Sequence, residues 1–167
     1  MGWSLGGAVI LETEVLISDR ILGLIPVDSL VPNSTYTGID EESIEKAMKP
    51  LEENFVATLT NLFNSYITDK IDPKDAESLR SAVPNLDERS MISTMRELAK
   101  WDMHKTLPKV KKPIKSIIAG HTIKHFSKEE YEKYFQVVYL EGLGHLLPIE
   151  DPVTFNEAFR KVIKEFL

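Results

Sequence analysis

A short pattern of glycines around a serine, at residues 2–6, constrains the fold more than any other feature of this sequence. Gly2, Ser4 and Gly6 fit the pattern G-x-S-x-G. In this pattern a strand turns sharply into a helix and presents the serine at the tip of the turn. A side chain at either glycine is expected to clash where the backbone doubles back. Only Met1 and Gly2 remain of the preceding strand, so we expect that strand to be essentially missing.

Short apolar runs alternate with helical patterns along the rest of the chain. Three runs indicate buried strands, and they cover residues 21–27, 113–119 and 136–140. Pro26 should leave the first of these strands incompletely paired, because proline has no N–H to donate. The helical patterns cover residues 4–17, four segments between 40 and 100, and the segments after 127 and 151. Strands that alternate with helices predict an α/β fold with a parallel sheet.

The predicted helices between residues 40 and 100 contain a helix-start signal and a set of large apolar side chains. Pro50 is expected to begin the second of these helices, since its missing N–H costs nothing at a helix start. Five of their residues could line a lipophilic pocket, although such stripes more often form only a helical core. These residues are Phe55, Phe63, Tyr66, Met91 and Met95.

Composition narrows the class of function. The net charge is −6 and no basic stripe is present, so we expect no nucleic-acid partner. The absence of cysteine excludes disulfides and thiolate catalysis, and it fits a cytoplasmic location. No apolar run approaches the roughly 20 residues that a bilayer span needs, so we expect no membrane association. His121 and His125 lack the further ligands of a metal site, so we expect neither a metal nor a cofactor.

In chain order these segments resemble the C-terminal part of an α/β-hydrolase, from the nucleophile elbow onward. A lone G-x-S-x-G motif is weak evidence, whereas the same motif followed by the other segments in family order is strong. The resemblance implies a truncated α/β-hydrolase with three parallel strands, flanking helices and a four-helix cap. The matching segments are the elbow and its helix (residues 2–9), the sixth strand (20–29), the approach to the seventh strand (107–120) and the catalytic-histidine loop with the last helix (144–155).

The same resemblance divides the chain into three parts. Residues 1–30 are expected to form the elbow, its helix and the first strand of the core. Residues 31–103 are expected to form a helical cap or lid. Residues 104–167 are expected to complete the core and to carry the histidine loop.

The resemblance also implies the site residues. Ser4 would be the nucleophile, His145 the base that takes its proton, and the backbone N–H of Leu5 one donor of the oxyanion hole. Taken singly, Ser4 could be an ordinary helix N-cap and His145 an ordinary loop histidine. Taken together and in family order, they favour catalytic ancestry.

The acid of the expected triad departs from the usual pattern. The family usually places an aspartate just after the seventh strand, and residues 121–125 contain no acid. Some members, the haloalkane dehalogenases among them, place the acid at the end of the sixth strand, where this chain has Asp28. Asp28 would then orient His145 and stabilise its imidazolium. The alternative is a non-catalytic aspartate at the strand end, and the sequence leaves both open.

The implied function is hydrolysis of an ester or similar acyl bond in a small, apolar substrate. A second oxyanion donor would come from a loop after the third strand, which this sequence does not contain, so we expect little activity from the chain alone. Losing one donor typically costs about 10²–10³ in turnover.

We favour the interpretation that the chain is a piece of a longer hydrolase, with Met1 internal to it. A protein completed by another chain and a non-enzymatic binding or interaction module are the alternatives. An exposed sheet edge could also promote self-association.

Overall fold

A parallel sheet of four strands forms the centre of the fold, in a computed structural model that describes residues 1–32 and 36–167. Residues 33–35, which belong to the predicted cap segment, lie outside the described residues. The strands lie side by side in chain order: β1 (Gly2–Trp3), β2 (Pro26–Val27), β3 (Lys115–Ala119) and β4 (Gln136–Leu140). All three pairings are parallel. The α/β fold with a parallel sheet is therefore confirmed.

The number of strands exceeds the predicted three because the two residues in front of Ser4 also form a strand. The Gly2 N–H donates to the Ile25 carbonyl at 3.0 Å, and the Ser4 N–H donates to the Val27 carbonyl at 2.9 Å. These bonds make residues 2 and 3 a fourth, edge strand. As Pro26 predicts, β2 is short: between β2 and β3 only Val27 is in ladder register, and Leu24 adds one isolated bridge to Ile114.

Helices cover both faces of the sheet, because successive residues of each strand point to opposite sides. On one face, α1 (Gly6–Ile17), α6 (Met103–Thr106) and α8 (Lys128–Glu132) pack on residues such as Ile118. On the other face, α9 (Leu147–Glu150) and α10 (Pro152–Lys164) pack on Ile117 and Ala119. A short helix, α7 (Gly120–Ile123), directly follows β3.

Four further helices lie between β2 and β3: α2 (Glu41–Glu53), α3 (Phe55–Tyr66), α4 (Pro73–Ala82) and α5 (Glu88–Lys100). Buried side chains join α2, α3 and the segment after α4 into a small core of their own; they are Leu51, Phe55, Leu59 and Val83. Among the described residues no helix is long and apolar enough to cross a membrane.

The prediction that Pro50 begins a helix is wrong. Helix α2 continues through Pro50 to Glu53, and α3 begins after Asn54. The Asn54 side chain accepts a hydrogen bond from the Ala57 N–H at 3.4 Å, and its own N–H donates to the Pro50 carbonyl at 3.1 Å. Asparagine is a strong N-cap, so it sets the boundary while α2 forgoes the one hydrogen bond that Pro50 cannot donate.

Beside β1, helix α1 is apolar on its outer face as well as its inner one. Val9 is 53% exposed and Leu16 is 80% exposed, whereas Leu11 is fully buried. A helix that is apolar all round is typical of a buried position. Within the described residues, β1 pairs only with β2. One side of the molecule therefore combines an open strand edge with exposed aliphatic side chains.

A buried tyrosine joins β3 to the segment that follows β2. The Tyr131 hydroxyl donates to the Ser29 carbonyl at 2.5 Å and lies 2.8 Å from Ser116 Oγ. Ser116 Oγ in turn donates to the Pro26 carbonyl at 3.1 Å. Burial raises the pKa of the Tyr131 hydroxyl far above its usual value, so the group keeps its proton and remains a donor.

Replacing Tyr131 with phenylalanine tests this link. We expect Tyr131→Phe to lower the free energy of unfolding by about 1–3 kcal/mol, because the buried Ser29 carbonyl loses its donor. Urea denaturation measures the change. Tyr134→Phe is the matched control, since it removes a hydroxyl from an exposed ring three residues away. Equal stability of the two variants would contradict the structural role of Tyr131.

Candidate active site

Ser4 lies at the tip of a tight turn between β1 and α1. Its φ is +52°, in the left-handed region that non-glycine residues rarely adopt. The turn is held by its carbonyl, which accepts hydrogen bonds from the Gly7 N–H at 2.9 Å and from Ser29 Oγ. The strand–turn–helix geometry expected from the motif is therefore present. Backbone strain of this kind is concentrated at functional sites.

The two motif glycines differ in what they contact. A Cβ on Gly2 would overlap the Gly6 carbonyl, so only glycine fits there. A Cβ on Gly6 would meet no described atom within 4 Å, so the clash expected at Gly6 is wrong. The tight position on the helix side is Gly7 instead, where a Cβ would overlap Ser29 Oγ.

The structure brings Ser4, His145 and Asp28 together into one hydrogen-bonded chain. His145 Nε2 lies 3.1 Å from Ser4 Oγ, and His145 Nδ1 lies 2.6 Å from Asp28 Oδ2. The three residues follow β1, β4 and β2, so they meet at the carboxyl edge of the parallel sheet, where α/β folds place their sites. With the Nδ1 proton donated to Asp28, Nε2 is free to accept the proton of the serine hydroxyl.

The Asp28 carboxylate is buried and receives two further hydrogen bonds. The Ala119 N–H donates to Oδ1 at 3.0 Å, and the Thr122 hydroxyl donates to Oδ2 at 3.0 Å. Thr122 lies in the segment where the resemblance would place an acid, and here that segment supplies a donor instead. Of the two interpretations left open by the sequence, this geometry favours an aspartate that orients His145.

Leu5 follows the serine at the start of α1. Among the described residues its backbone N–H donates to no protein acceptor, as is usual at the start of a helix. Leu5 also borders the same pocket as Ser4 and His145. Its N–H is therefore available to an oxygen atom bound beside the serine.

Several contacts around His145 were not predicted from the sequence. The Trp3 indole N–H donates to the His145 carbonyl at 2.8 Å, and the Lys70 ammonium donates to the Gly142 carbonyl at 2.6 Å. The rings of Trp3 and Tyr66 lie 5.0 Å and 4.4 Å from the imidazole, between centroids. Trp3 could have been singled out because it lies inside the motif. Tyr66 and Lys70 belong to the segment between β2 and β3 that contains α2 to α5, here called the helical insert. No sequence signal links them to the histidine loop, which comprises residues 141–146 between β4 and α9.

A pocket of about 530 Å³ opens between the serine turn and the helices α3 and α5. Its apolar lining includes Leu59, Leu62, Phe63, Leu86, Met91 and Met95. Four of the five residues considered from sequence, including Tyr66, border it, whereas Phe55 belongs to the helical core. Asp87, Ser90 and Thr94 of the α5 side add polar groups. Hydrogen bonds from the Ser90 hydroxyl and N–H lower the pKa of Asp87, so its carboxylate is charged at neutral pH.

No metal site is evident in the part of the chain that the structure describes, where no group of three or more histidine, aspartate or glutamate side chains could hold an ion. The rings of His121 and His125 lie 5.0 Å apart, between centroids, on and just after α7.

Comparison with solved structures identifies the fold. A bromoperoxidase from Bacillus anthracis superposes with a TM-score of 0.79 at 19% identity, over 98% of this chain. A thermophilic esterase from Thermogutta terrifontis gives 0.73 at 17% identity over 99% of this chain, and an enol-lactonase from Burkholderia xenovorans gives 0.72 at 16% identity over 99%. No protein-family model and no curated protein sequence matches.

The chain thus has the α/β-hydrolase fold. It spans 66%, 64% and 63% of the lengths of these three structures, that is, slightly less than two thirds of each. The shared part covers nearly all of this chain.

Alanine at the two motif glycines tests the turn geometry. We expect Gly2→Ala to lower the free energy of unfolding by about 1–3 kcal/mol or more, because its Cβ overlaps the Gly6 carbonyl. Gly6→Ala should leave stability unchanged or raise it by about 0.5–1 kcal/mol, since alanine favours a helical position. Urea denaturation of both variants provides the comparison. A Gly6→Ala variant as unstable as Gly2→Ala would contradict the open space at Gly6.

Proposed function

We propose that this chain carries the site of a serine hydrolase that acts on an ester or similar acyl substrate. In this proposal Ser4 is the nucleophile, His145 the general base, Asp28 the acid that orients it, and Leu5 N–H a donor to the oxyanion. The observation that carries the proposal is the chain of hydrogen bonds from Asp28 through His145 to Ser4, at 2.6 and 3.1 Å. Such a chain is the arrangement that activates a serine hydroxyl.

The reaction proceeds in two transfers of the acyl group. Ser4 Oγ attacks the acyl carbon while its proton passes to His145 Nε2, and the Leu5 N–H stabilises the negative oxygen that forms. The imidazolium, stabilised by Asp28, then protonates the leaving alcohol, and the acyl group stays on Ser4. Water next attacks this ester and gives its proton to His145. His145 then returns this proton to Ser4 Oγ as the bond between Ser4 and the acyl carbon breaks. The carboxylic acid leaves, and the site is regenerated.

The lining of the pocket supports a small, apolar and uncharged acyl substrate. Aliphatic, methionine and aromatic side chains of α3 and α5 surround the space above Ser4, and methionine adapts to substrates of different shape. The Asp87 carboxylate at the start of α5 disfavours anionic substrates by repulsion. The esterase and the enol-lactonase among the solved structures of this fold are in keeping with acyl chemistry.

We further infer that turnover by this chain alone is low. Within the described residues, the Leu5 N–H is the one oxyanion donor that we assign, and the loss of one donor typically costs about 10²–10³ in rate. The share of the solved structures that the chain spans is consistent with a segment of a longer hydrolase. Low turnover still permits one covalent reaction at Ser4.

A fluorophosphonate probe tests this function without requiring turnover. We expect covalent labelling at Ser4, located by mass spectrometry of the digested protein, and none in Ser4→Ala. Asp28→Asn should slow labelling by about 10²–10⁴-fold, because the amide favours the imidazole tautomer that cannot accept the serine proton.

The control for Asp28→Asn is Asp102→Asn, which changes an aspartate that caps α6 away from the pocket. It should label at the wild-type rate. A folded chain that does not label at Ser4 would contradict the proposal and favour a non-enzymatic binding module.

The charge of Asp87 provides a test of the substrate class. We expect a probe with a terminal carboxylate to label more slowly than a neutral alkyl probe of equal length. Asp87→Asn should reduce that difference by about two- to fivefold, since it removes the repelling charge and asparagine still caps the helix. Asp72→Asn, at the start of α4, is the matched control. An unchanged ratio of the two labelling rates in Asp87→Asn would argue against the selection of uncharged substrates by this residue.

A further inference from the structure

A buried carboxylate lies against the histidine loop and takes no part in the proposed chemistry. Glu150 ends α9, five residues after His145, and is 8% exposed. Its Oε2 accepts a hydrogen bond from the Gly144 N–H at 2.7 Å. Its Oε1 is the only buried side-chain oxygen or nitrogen of the described residues that has no hydrogen-bond partner. A carboxylate costs free energy when it is buried with an unpaired oxygen, so its presence calls for an explanation.

The unpaired oxygen occupies the space beside Gly144. A Cβ on Gly144 would lie 2.6 Å from Glu150 Oε1 and 3.1 Å from Thr68 Cγ2. Gly142 in the same loop has a positive φ of 78°, whereas Gly144 does not. The short contact at position 144 is therefore made with the carboxylate, and no positive φ adds a backbone preference for glycine there.

Glu150 and Trp3 hold the backbone on the two sides of the His145 side chain. The Gly144 N–H, just before His145, donates to Glu150, and the His145 carbonyl accepts from the Trp3 indole. The imidazole must reach both Ser4 and Asp28 from this one backbone position. A displacement of about 1 Å at a reacting group can cost about 10²-fold in rate.

We propose that Glu150 is a positioning residue for His145. By accepting the Gly144 N–H, its carboxylate fixes the backbone position of the residue before His145. The imidazole can then reach both Ser4 Oγ and Asp28 Oδ2. This role rests on the proposed function of Ser4 and His145, but it concerns loop geometry, which can be measured separately.

Two substitutions of Glu150 separate the hydrogen bond from the charge. Glu150→Gln keeps an oxygen that can accept from Gly144, and we expect its labelling rate to stay within about threefold of wild type. Glu150→Leu removes the acceptor, and we expect the labelling rate to fall by about tenfold or more. A near-normal labelling rate in Glu150→Gln would show that the oxygen that accepts from Gly144 is needed, and that the negative charge of Glu150 is not.

Glu14 provides the matched control for buried carboxylates in general. It is fully buried in α1 and also accepts from a backbone N–H, that of Lys111 at 3.2 Å. We expect Glu14→Leu to lower stability without changing the labelling rate of the folded protein. The proposal is overturned if folded Glu150→Leu labels at the wild-type rate, or if Glu14→Leu slows labelling as much.

A second measurement keeps this test independent of the proposed function. Glu150→Leu should speed hydrogen exchange of the Gly144 amide and shift the NMR signals of the His145 ring, whereas Glu150→Gln and Glu14→Leu should do neither. Absence of labelling in the wild type, with these changes present, would contradict the serine hydrolase and leave the positioning role standing. Unchanged exchange and ring signals in Glu150→Leu would overturn the positioning role.

A double-mutant cycle tests the contact itself. In the wild-type background, Gly144→Ala should slow labelling by about tenfold, because its Cβ meets Glu150 Oε1. In the Glu150→Ala background, where the carboxylate is absent, the same change should cost less than about twofold. Equal losses in both backgrounds would overturn the proposed contact.

Discussion

The hydrogen bonds of the Asp28 carboxylate are the interaction on which the rest of this site depends. They reach the end of β3 through Ala119, helix α7 through Thr122 and the histidine loop through His145. Because β2 lies between β1 and β3, the same carboxylate also lies beside the turn that carries Ser4. One buried group thus ties three strand ends together, and the left-handed backbone at Asp28, with φ of +44°, is the local strain that accompanies this position.

The helical insert contributes to this arrangement as well as covering it. Tyr66 packs on the imidazole, and the Lys70 ammonium donates to the Gly142 carbonyl, so the insert contacts the histidine loop directly. The substrate pocket that we propose therefore shares a wall with the base that would serve it. A change in the position of α3 would alter the shape of the pocket and the setting of His145 together.

The parallel sheet could be predicted from apolar periodicity, and the closeness of Ser4 and His145 was implied by the resemblance to the α/β-hydrolases. The strand in front of Ser4 was expected to be missing, because two residues are too few to show an apolar run. The helix boundary at Asn54 could not be predicted, because it depends on whether Pro50 or Asn54 begins the next helix. The open space at Gly6 could not be predicted either, because it depends on which residues pack nearby. The contacts of Trp3 and Glu150 join segments far apart in sequence or depend on the path of one loop. No local sequence pattern indicates these contacts. Asp28 is likewise distinguished from an ordinary strand-end aspartate only by its hydrogen bond to His145.

The separation of the hydrogen-bonded residues along the chain has a consequence for biosynthesis. Ser4 and His145 are 141 residues apart, and Asp28 and His145 are 117 apart. A ribosome adds about 5–20 residues per second, so it makes the histidine roughly 7–28 s after the serine. Until His145 has been made and its loop has folded, the Ser4 hydroxyl has no base beside it and remains as unreactive as any other serine. A nascent chain would therefore be protected from premature acylation, and reactivity at Ser4 would report that the last strand has docked.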